Sequence, residues 1–170
     1  MAFRTIQWKN NKVVILDQRL LPEKERYITC QDAEEVAQAI ESLAIRGAPA
    51  IGVAAALGLA LGVQSIRSKS MAVFTRGFEA LCRRFASTRP TARNLFWAIE
   101  RMKGVVHQER RRTIEEIQYA LQDEAKAILR EDIEANKKLG LYGQKFIRNG
   151  AQVLTYCNAC LLYTSDAADE

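Results

Sequence analysis

Two stretches of the chain combine an arginine with a proline-led helix start, a combination that suits anion binding. In the first, Arg46-Gly47-Ala48-Pro49 leads into an apolar run, and in the second Arg89 precedes Pro90. A helix N-terminus presents unpaired N–H groups and a partial positive charge, and an arginine adds a cation with parallel donors. The two junctions could converge on one phosphorylated ligand. Each also has a structural alternative, as an ordinary Gly-Ala-Pro helix entry or a solvated arginine; Arg93 is expected at the surface.

A cysteine at the end of a β-rich run is the candidate for catalysis. Cys157 directly follows the run 152–156, and open α/β sheets bind their ligands at the carboxyl ends of strands. The alternative is buried packing, which is the commoner role of a cysteine beside apolar residues; Cys30 and Cys82 fit that interpretation. The single histidine, His107, is expected on the surface near a helix C-terminus. One histidine excludes a multi-histidine metal site within this sequence.

The last residues of the sequence, 160–170, differ in character from everything before them. They read CLLYTSDAADE, which resembles the translation of a widely used sequencing adapter, so we expect this segment to be non-native read-through. The alternative is a divergent natural tail without function. On either interpretation the C-N-A-C spacing of Cys157 and Cys160 does not indicate a metal or redox site, although the spacing alone would allow one.

Composition places the chain among soluble globular proteins. Of 170 residues, 48% are hydrophobic and 26% are charged, with a net charge of +5; this excludes a disordered chain, a collagen-like repeat and a small disulfide scaffold. The most apolar stretch, 48–64, is shorter than the roughly 20 residues that span a membrane. No leader is recognised, so a cytoplasmic location is expected. The basic run 110–112 is diluted by glutamates, so neither nucleic acid nor a membrane is an expected partner.

Sequence patterns predict the elements that must position these residues. Asn10-Asn11 predicts a tight hairpin turn, Asp32 with Glu35 a capped helix closed by Gly47, and Thr113 with Glu116 a second capping box. The expected elements are strands at 5–8, 13–16 and 26–29, helices at 32–47, 50–63, 71–85, 91–102 and 113–139, glycine breaks at Gly140, Gly143 and Gly150, and a strand at 152–156. A lone final strand lacks hydrogen-bonding neighbours. The fold class is therefore an α+β domain, a small antiparallel β-meander followed by a helical bundle, with a second domain starting at its end.

Three ordered motifs carry a family resemblance that covers residues 3–159. They are R-G-A-P-A-I-G at 46–52, T-R-P-T-A at 88–92 and L-T-Y-C-N-A at 154–159. The opening segment around 14–18 and the pair Glu131-Asp132 with Asn136 agree with them. Together they resemble the methylthioribose-1-phosphate isomerases of methionine salvage, within the larger group that includes the initiation factor 2B regulatory subunits.

The resemblance implies an N-terminal domain at 1–149 and the first strand of a missing Rossmann-like α/β domain at 150–159. It implies aldose–ketose isomerisation without metal or cofactor, with substrate contacts from Arg46, Gly47, Ala48 and Arg89 and catalysis by Cys157. The family's catalytic aspartate lies in the missing part, so the fragment is expected to be inactive alone. The full-length family member is expected to be a homodimer.

Three positions depart from the family pattern: Tyr156 and Tyr142 replace histidines, and Arg93 replaces a valine. The alternatives to the isomerase are a ribose-1,5-bisphosphate isomerase and a non-catalytic initiation factor 2B-like subunit. A basic helical nucleic-acid binder is a remote third.

Overall fold

The computed structural model describes residues 4–154. It begins with a three-stranded antiparallel sheet in the order β1-β2-β3, formed by β1 (Ile6–Lys9), β2 (Lys12–Leu16) and β3 (Tyr27–Cys30). The hairpin turn between β1 and β2 has positive φ at Asn10 (51°) and Asn11 (54°), as a type I′ turn requires. The predicted meander is confirmed, with the first and third strands each shifted by one residue and the second starting one residue earlier.

The first helix, α1 (Ala33–Glu41), has the predicted cap at its N-terminus. Its C-terminal end differs from the prediction. Asp32 accepts from the Glu35 amide at 2.9 Å, and the Glu35 carboxylate accepts from the Gln31 amide at 2.7 Å. The prediction that Gly47 closes this helix is wrong. The helix ends at Glu41, and Leu43 takes a positive φ of 62°. A residue in the left-handed conformation terminates a helix whether or not it is glycine.

Helix α2 (Ala48–Val63) forms the centre of the core. Every residue from 51 to 63 is buried, as predicted for a helix that is apolar all round. It contacts β1, β2, α1 and the three α-helices that follow it in the chain. The sheet therefore covers one part of α2 and the remaining helices cover the rest.

Three further helices complete the described chain: α3 (Met71–Thr88), α4 (Arg93–Gln108) and α5 (Ile114–Gly143). Thr113 and Glu116 form the predicted capping box at the start of α5. The prediction that Gly140 breaks this helix is wrong, since α5 continues to Gly143. One glycine costs an exposed helix only about 1 kcal/mol, which does not by itself end it.

The start of α4 also differs from the prediction that Thr91 caps it. Ala92 is the N-cap residue, and its amide donates to the Arg89 carbonyl at 3.0 Å. This hydrogen bond closes a turn over 89–92, so the helix begins one residue later than the threonine cap would allow.

The architecture agrees with the predicted α+β domain of a small sheet plus helices. The predicted strand 152–156 is not formed over residues 152–154, which are exposed and belong to no strand. The remainder of this prediction lies outside the described residues. The Rossmann-like domain and the boundary at 149/150 remain predictions. Among the described helices, none has the length and apolarity to cross a membrane.

Candidate active site

The N-terminus of α2 is built around Gly47. This residue is the N-cap, with φ 98° and ψ 129° and no side-chain cap, and Pro49 follows within the first turn. A Cβ at position 47 would meet only the Ala50 Cβ at 3.8 Å, so the positive φ rather than crowding favours glycine here. Gly47, Ala48 and Pro49 are exposed. The first amides of the helix are therefore accessible to an anion.

The preceding arginine belongs to the interior rather than to the solvated surface. Arg46 is only 9% exposed, and its carbonyl accepts a hydrogen bond from the Gln18 side chain at 3.3 Å. The Gln18 amide also donates to the Ala44 carbonyl at 2.9 Å. Gln18 thus ties the loop before α2 to the end of the sheet. Gln18 lies in the segment 14–18 that agrees with the family resemblance, but the sequence alone does not assign it a role.

An ion pair between a buried carboxylate and a half-exposed arginine fixes the turn that carries Gln18. Asp17 is 4% exposed and receives two side-chain hydrogen bonds from Arg19, at 2.8 and 2.7 Å. Hydrogen bonding from the Arg19 guanidinium lowers the pKa of the Asp17 carboxyl against the opposing effect of burial. The carboxylate therefore stays ionised, and the turn has a fixed position under the Arg46 loop.

The second arginine lies where α3 passes into α4. Arg89 is the C-cap of α3 and is half-buried. Thr88 before it is buried, and its hydroxyl donates to the Phe85 carbonyl at 2.7 Å. Arg93, at the first position of α4, is exposed as predicted.

The two helix starts lie side by side. A Cβ placed on Gly52, in the second turn of α2, would stand 2.7 Å from the Asn94 carbonyl oxygen in the first turn of α4, so the two helices are in backbone contact near their starts. Convergence of the Arg46 and Arg89 junctions on one phosphorylated ligand stays a prediction. Cys157, Tyr156 and the segment 160–170 lie outside the described residues.

Beside these helix starts, α2, α4 and α5 enclose a cleft of about 350 Å³, which we call the α4–α5 cleft. Each of the three helices contributes lining residues spaced three or four apart, so one face of each helix lines the cleft. Its lining consists of Pro49, Val53, Asn94, Trp97, Ile128, Glu131, Asp132 and Ala135. Glu131 and Asp132 belong to the segments that carry the family resemblance, whereas no sequence motif marks Asn94 or Trp97 as a site residue.

The aromatic wall of the α4–α5 cleft is held by an arginine. The Arg101 guanidinium carbon lies 5.4 Å from the centre of the Trp97 ring, and Arg101 also forms ion pairs with Glu124 and Glu131. Hydrogen bonding from Arg101 lowers the pKa of Glu131. Trp97 is nevertheless 52% exposed, so its outer face is open to the cleft.

The two described cysteines lie where their thiols react poorly. Burial raises the pKa of Cys30 to about 11 and that of Cys82 to about 12, which makes both thiols poor nucleophiles. Within 4–154 no group of three or more His, Cys, Asp and Glu side chains could hold a metal ion. His107 is exposed at the end of α4, as predicted.

A larger cavity lies elsewhere. A groove of about 710 Å³ runs between α3 and α4 and contains none of Arg46, Gly47, Ala48 or Arg89. We assign the candidate site by the convergence of anion-binding helix starts rather than by cavity size.

Comparison with known proteins identifies relatives of the chain. A curated relative from Geotalea daltonii, named methylthioribose-1-phosphate isomerase, is 49% identical over 97% of this chain and 48% of its own length. The chain spans about half the length of the curated relatives it matches.

Two solved structures share the fold. The crystal structure of 5-methylthioribose 1-phosphate isomerase from Pyrococcus horikoshii OT3 superposes with a TM-score of 0.84 at 41% identity, covering 88% of this chain and 42% of that one. That of the translation initiation factor eIF-2B subunit delta from A. fulgidus gives 0.82 at 39% identity, over 93% and 46%. Residues 44–165 match the model of the initiation factor 2 subunit family, and with the shared fold this places the chain in that family.

Proposed function

We propose that the chain supplies the phosphate-binding half of an aldose–ketose isomerase that converts 5-methylthioribose 1-phosphate to 5-methylthioribulose 1-phosphate. The observation that carries the proposal is the backbone contact between Gly52 and Asn94. It sets two helix N-termini side by side, each entered from an arginine of the candidate site. The names of the Geotalea and Pyrococcus relatives support the choice of substrate.

Phosphate binding would fall to four residues. Gly47 and Ala48 would offer backbone amides at the start of α2, and Arg46 and Arg89 would supply positive charge from the two junctions. A dianionic phosphate between two helix N-termini is stabilised by both partial charges as well as by the guanidinium groups. Because the phosphate is attached to C1, binding it would hold the two reacting carbons, C1 and C2, in place.

The chemistry requires acid–base work on the sugar. C1 of the substrate is a phosphorylated ring acetal, so the C1–O bond of the ring opens and the ring oxygen takes up a proton. The hydrogen on C2 then moves to C1, as a proton through an enediol or directly as a hydride, and the C2 hydroxyl loses its proton to become the ketone. Atoms and electrons balance within the sugar, and no external oxidant or reductant takes part.

We assign one member of the acid–base pair to Cys157. A thiol with an ordinary pKa of about 8.5 can accept and return a proton when water is excluded from the pocket. The other member is an aspartate of the family's second half, so we expect the 170-residue chain to be inactive alone. The full-length family member would act as a homodimer.

The test uses a fusion of residues 1–159 to the second half of the Geotalea daltonii relative, called the fusion enzyme below. Because the chain aligns with 48% of that relative at 49% identity, the junction falls at an equivalent position. We expect the fusion enzyme to isomerise methylthioribose 1-phosphate and its Cys157→Ala variant to lose turnover while still binding the substrate. A folded fusion enzyme without activity, or a Cys157→Ala variant with undiminished turnover, would contradict the proposal.

The match to the eIF-2B delta structure favours a second candidate, a regulatory subunit that binds a sugar phosphate without converting it. The same experiment separates the two. Saturable binding of methylthioribose 1-phosphate without product, in a fusion enzyme shown to be folded by circular dichroism, would select the regulatory role.

A further inference from the structure

The α4–α5 cleft begins where the phosphate-binding helix starts end. Pro49 lies in the first turn of α2 and Asn94 in the first turn of α4, and both line the cleft. Trp97 follows Asn94 by three residues, which places it about 4.5 Å further along the helix axis from the N-terminus of α4. A ligand anchored by its phosphate at the helix starts would therefore extend its far end toward Trp97.

The lining of the cleft changes character along this direction. Trp97, 52% exposed, offers the accessible apolar surface, Val53 and Ile128 lie buried beneath the lining at 2% each, and the Arg101 guanidinium carbon is 5.4 Å from the centre of the Trp97 ring. A thioether contacts an aromatic ring favourably through its polarisable sulfur. Apolar walls around a small number of polar groups are typical of a small-molecule site.

The charged residues of the cleft are all of one sign. Glu131 and Asp132 line it, and among the described lining residues there is no lysine or arginine. Arg101, behind the ring, is paired with both Glu124 and Glu131, so its charge is already matched. Glu131 is paired with Arg101, so a second phosphate entering here would meet the negative charge of Asp132, whose carboxylate accepts a hydrogen bond from the Asn136 side-chain amide at 3.2 Å. Like charges brought together in this way are strongly unfavourable.

We propose that the α4–α5 cleft is the specificity subsite of the enzyme: it accepts the uncharged thioether end of the sugar phosphate against Trp97 and excludes a second phosphate through Asp132. The proposal rests on the proposed function, because it takes the phosphate to be bound at the helix starts. It also decides between the two isomerase alternatives, since ribose 1,5-bisphosphate would carry its second phosphate into this cleft.

The chain offers a matched control for Trp97. Phe96 is the next residue along α4 and is also exposed, at 39% against 52%, but it lines the α3–α4 groove rather than the α4–α5 cleft. The Phe96→Ala variant therefore removes a similar exposed aromatic that is absent from the lining of the α4–α5 cleft, although Phe96 and Trp97 both line a neighbouring pocket.

The test measures kcat/KM of the fusion enzyme and its variants with methylthioribose 1-phosphate, ribose 1-phosphate and ribose 1,5-bisphosphate. Ratios between substrates on one variant are used, because a partly unfolded preparation lowers all three values equally. We expect Trp97→Ala to reduce the preference for methylthioribose 1-phosphate over ribose 1-phosphate by about tenfold. We expect Asp132→Asn to reduce discrimination against the bisphosphate by about tenfold, and Phe96→Ala to leave both ratios within about twofold.

The outcomes separate this proposal from the one it rests on. An unsubstituted fusion enzyme that converts none of the three sugars contradicts the proposed function, and the subsite falls with it. An active fusion enzyme whose Trp97→Ala and Asp132→Asn variants keep the original ratios leaves the isomerase intact and overturns the subsite. Equal loss with all three sugars, or a change of oligomeric state on Trp97→Ala, would instead assign this face to packing against protein and would likewise overturn it.

Discussion

Gly52 and Asn94 are in contact through their backbones, and no side chain would fit between them. The carbonyl oxygen of Asn94 lies 2.7 Å from where a Cβ on residue 52 would stand. This relationship fixes the start of α4 against the start of α2. The spacing of the two candidate phosphate-binding junctions therefore depends on a glycine that itself carries no functional group.

A methyl group at position 52 should separate the two helix starts. We expect Gly52→Ala to lower the free energy of unfolding by about 1–3 kcal/mol, as overpacking does, and to raise KM of the fusion enzyme. Gly104 is the control, because a Cβ there meets nothing within 4 Å in the same helix as Asn94. Gly104→Ala should stabilise the protein by about 0.5–1 kcal/mol. Denaturant unfolding measures both; a neutral Gly52→Ala would contradict the contact.

Removing the Arg89 guanidinium should weaken substrate binding specifically. A hydrogen bond to a charged group contributes about 1.5–3 kcal/mol, so we expect Arg89→Ala to reduce kcat/KM of the fusion enzyme by about 10–100-fold, mainly through KM. Arg93 is the matched control, since it is an exposed arginine four residues further on. An equal effect from Arg93→Ala would indicate loss of general positive potential rather than of a phosphate contact.

A guanidinium clamp between α1 and α3 should make stability depend on pH. Arg84 donates to Glu34 at 2.8 and 2.7 Å and to Glu41 at 2.6 and 3.0 Å. These bonds lower the pKa of both carboxyls. The stabilisation is therefore complete above the unfolded-state pKa of about 4.3 and is lost as the pH falls through the folded-state values.

We expect Arg84→Ala to lower the free energy of unfolding by about 1 kcal/mol at pH 7, with a smaller difference from the unsubstituted chain near pH 3. Arg83 provides the comparison, because it is more exposed and reaches Glu79 only at 3.9 Å. A pH-independent difference for Arg84→Ala would show that the clamp acts through packing alone.

The described thiols should be unreactive in the folded chain. Burial raises the pKa of Cys30 to about 11 and of Cys82 to about 12, so the thiolate is scarce at pH 8. We expect iodoacetamide to leave both unmodified in native buffer and to label both in denaturant, as read by peptide mass spectrometry. Rapid native labelling of Cys82 would mean that the α3–α4 groove opens to its base.

The parts of the fold that follow from local chemistry were predictable from the sequence. Asn10-Asn11 tolerates positive φ, and Thr113 with Glu116 satisfies the first amides of α5; both features depend only on neighbouring residues. Gly47 was assigned to the wrong helix because a glycine with positive φ can either close one helix or open the next. Sequence alone does not distinguish these two uses.

The missed site residues depend on tertiary contacts. Trp97 has the apolar character of Leu95, Ile99 and Met102 in the same helix, but those three form the buried face and Trp97 lies on another side. Only the placement of α5 turns that exposed ring into the wall of a cleft. Arg46 and Arg89 are candidates on motif and helix-start chemistry alone, and only the packing of α2 on α4 brings the starts of their two helices close together.

The complete burial of α2 has a consequence for how this scaffold can diversify. A substitution anywhere along Ile51 to Val63 disturbs several neighbouring elements at once, whereas Trp97 and Asp132 can change without repacking the core. New substrate preferences are therefore most accessible to natural or laboratory evolution through α4 and α5. The proposed phosphate-binding residues at the exposed start of α2 lie outside this constrained stretch.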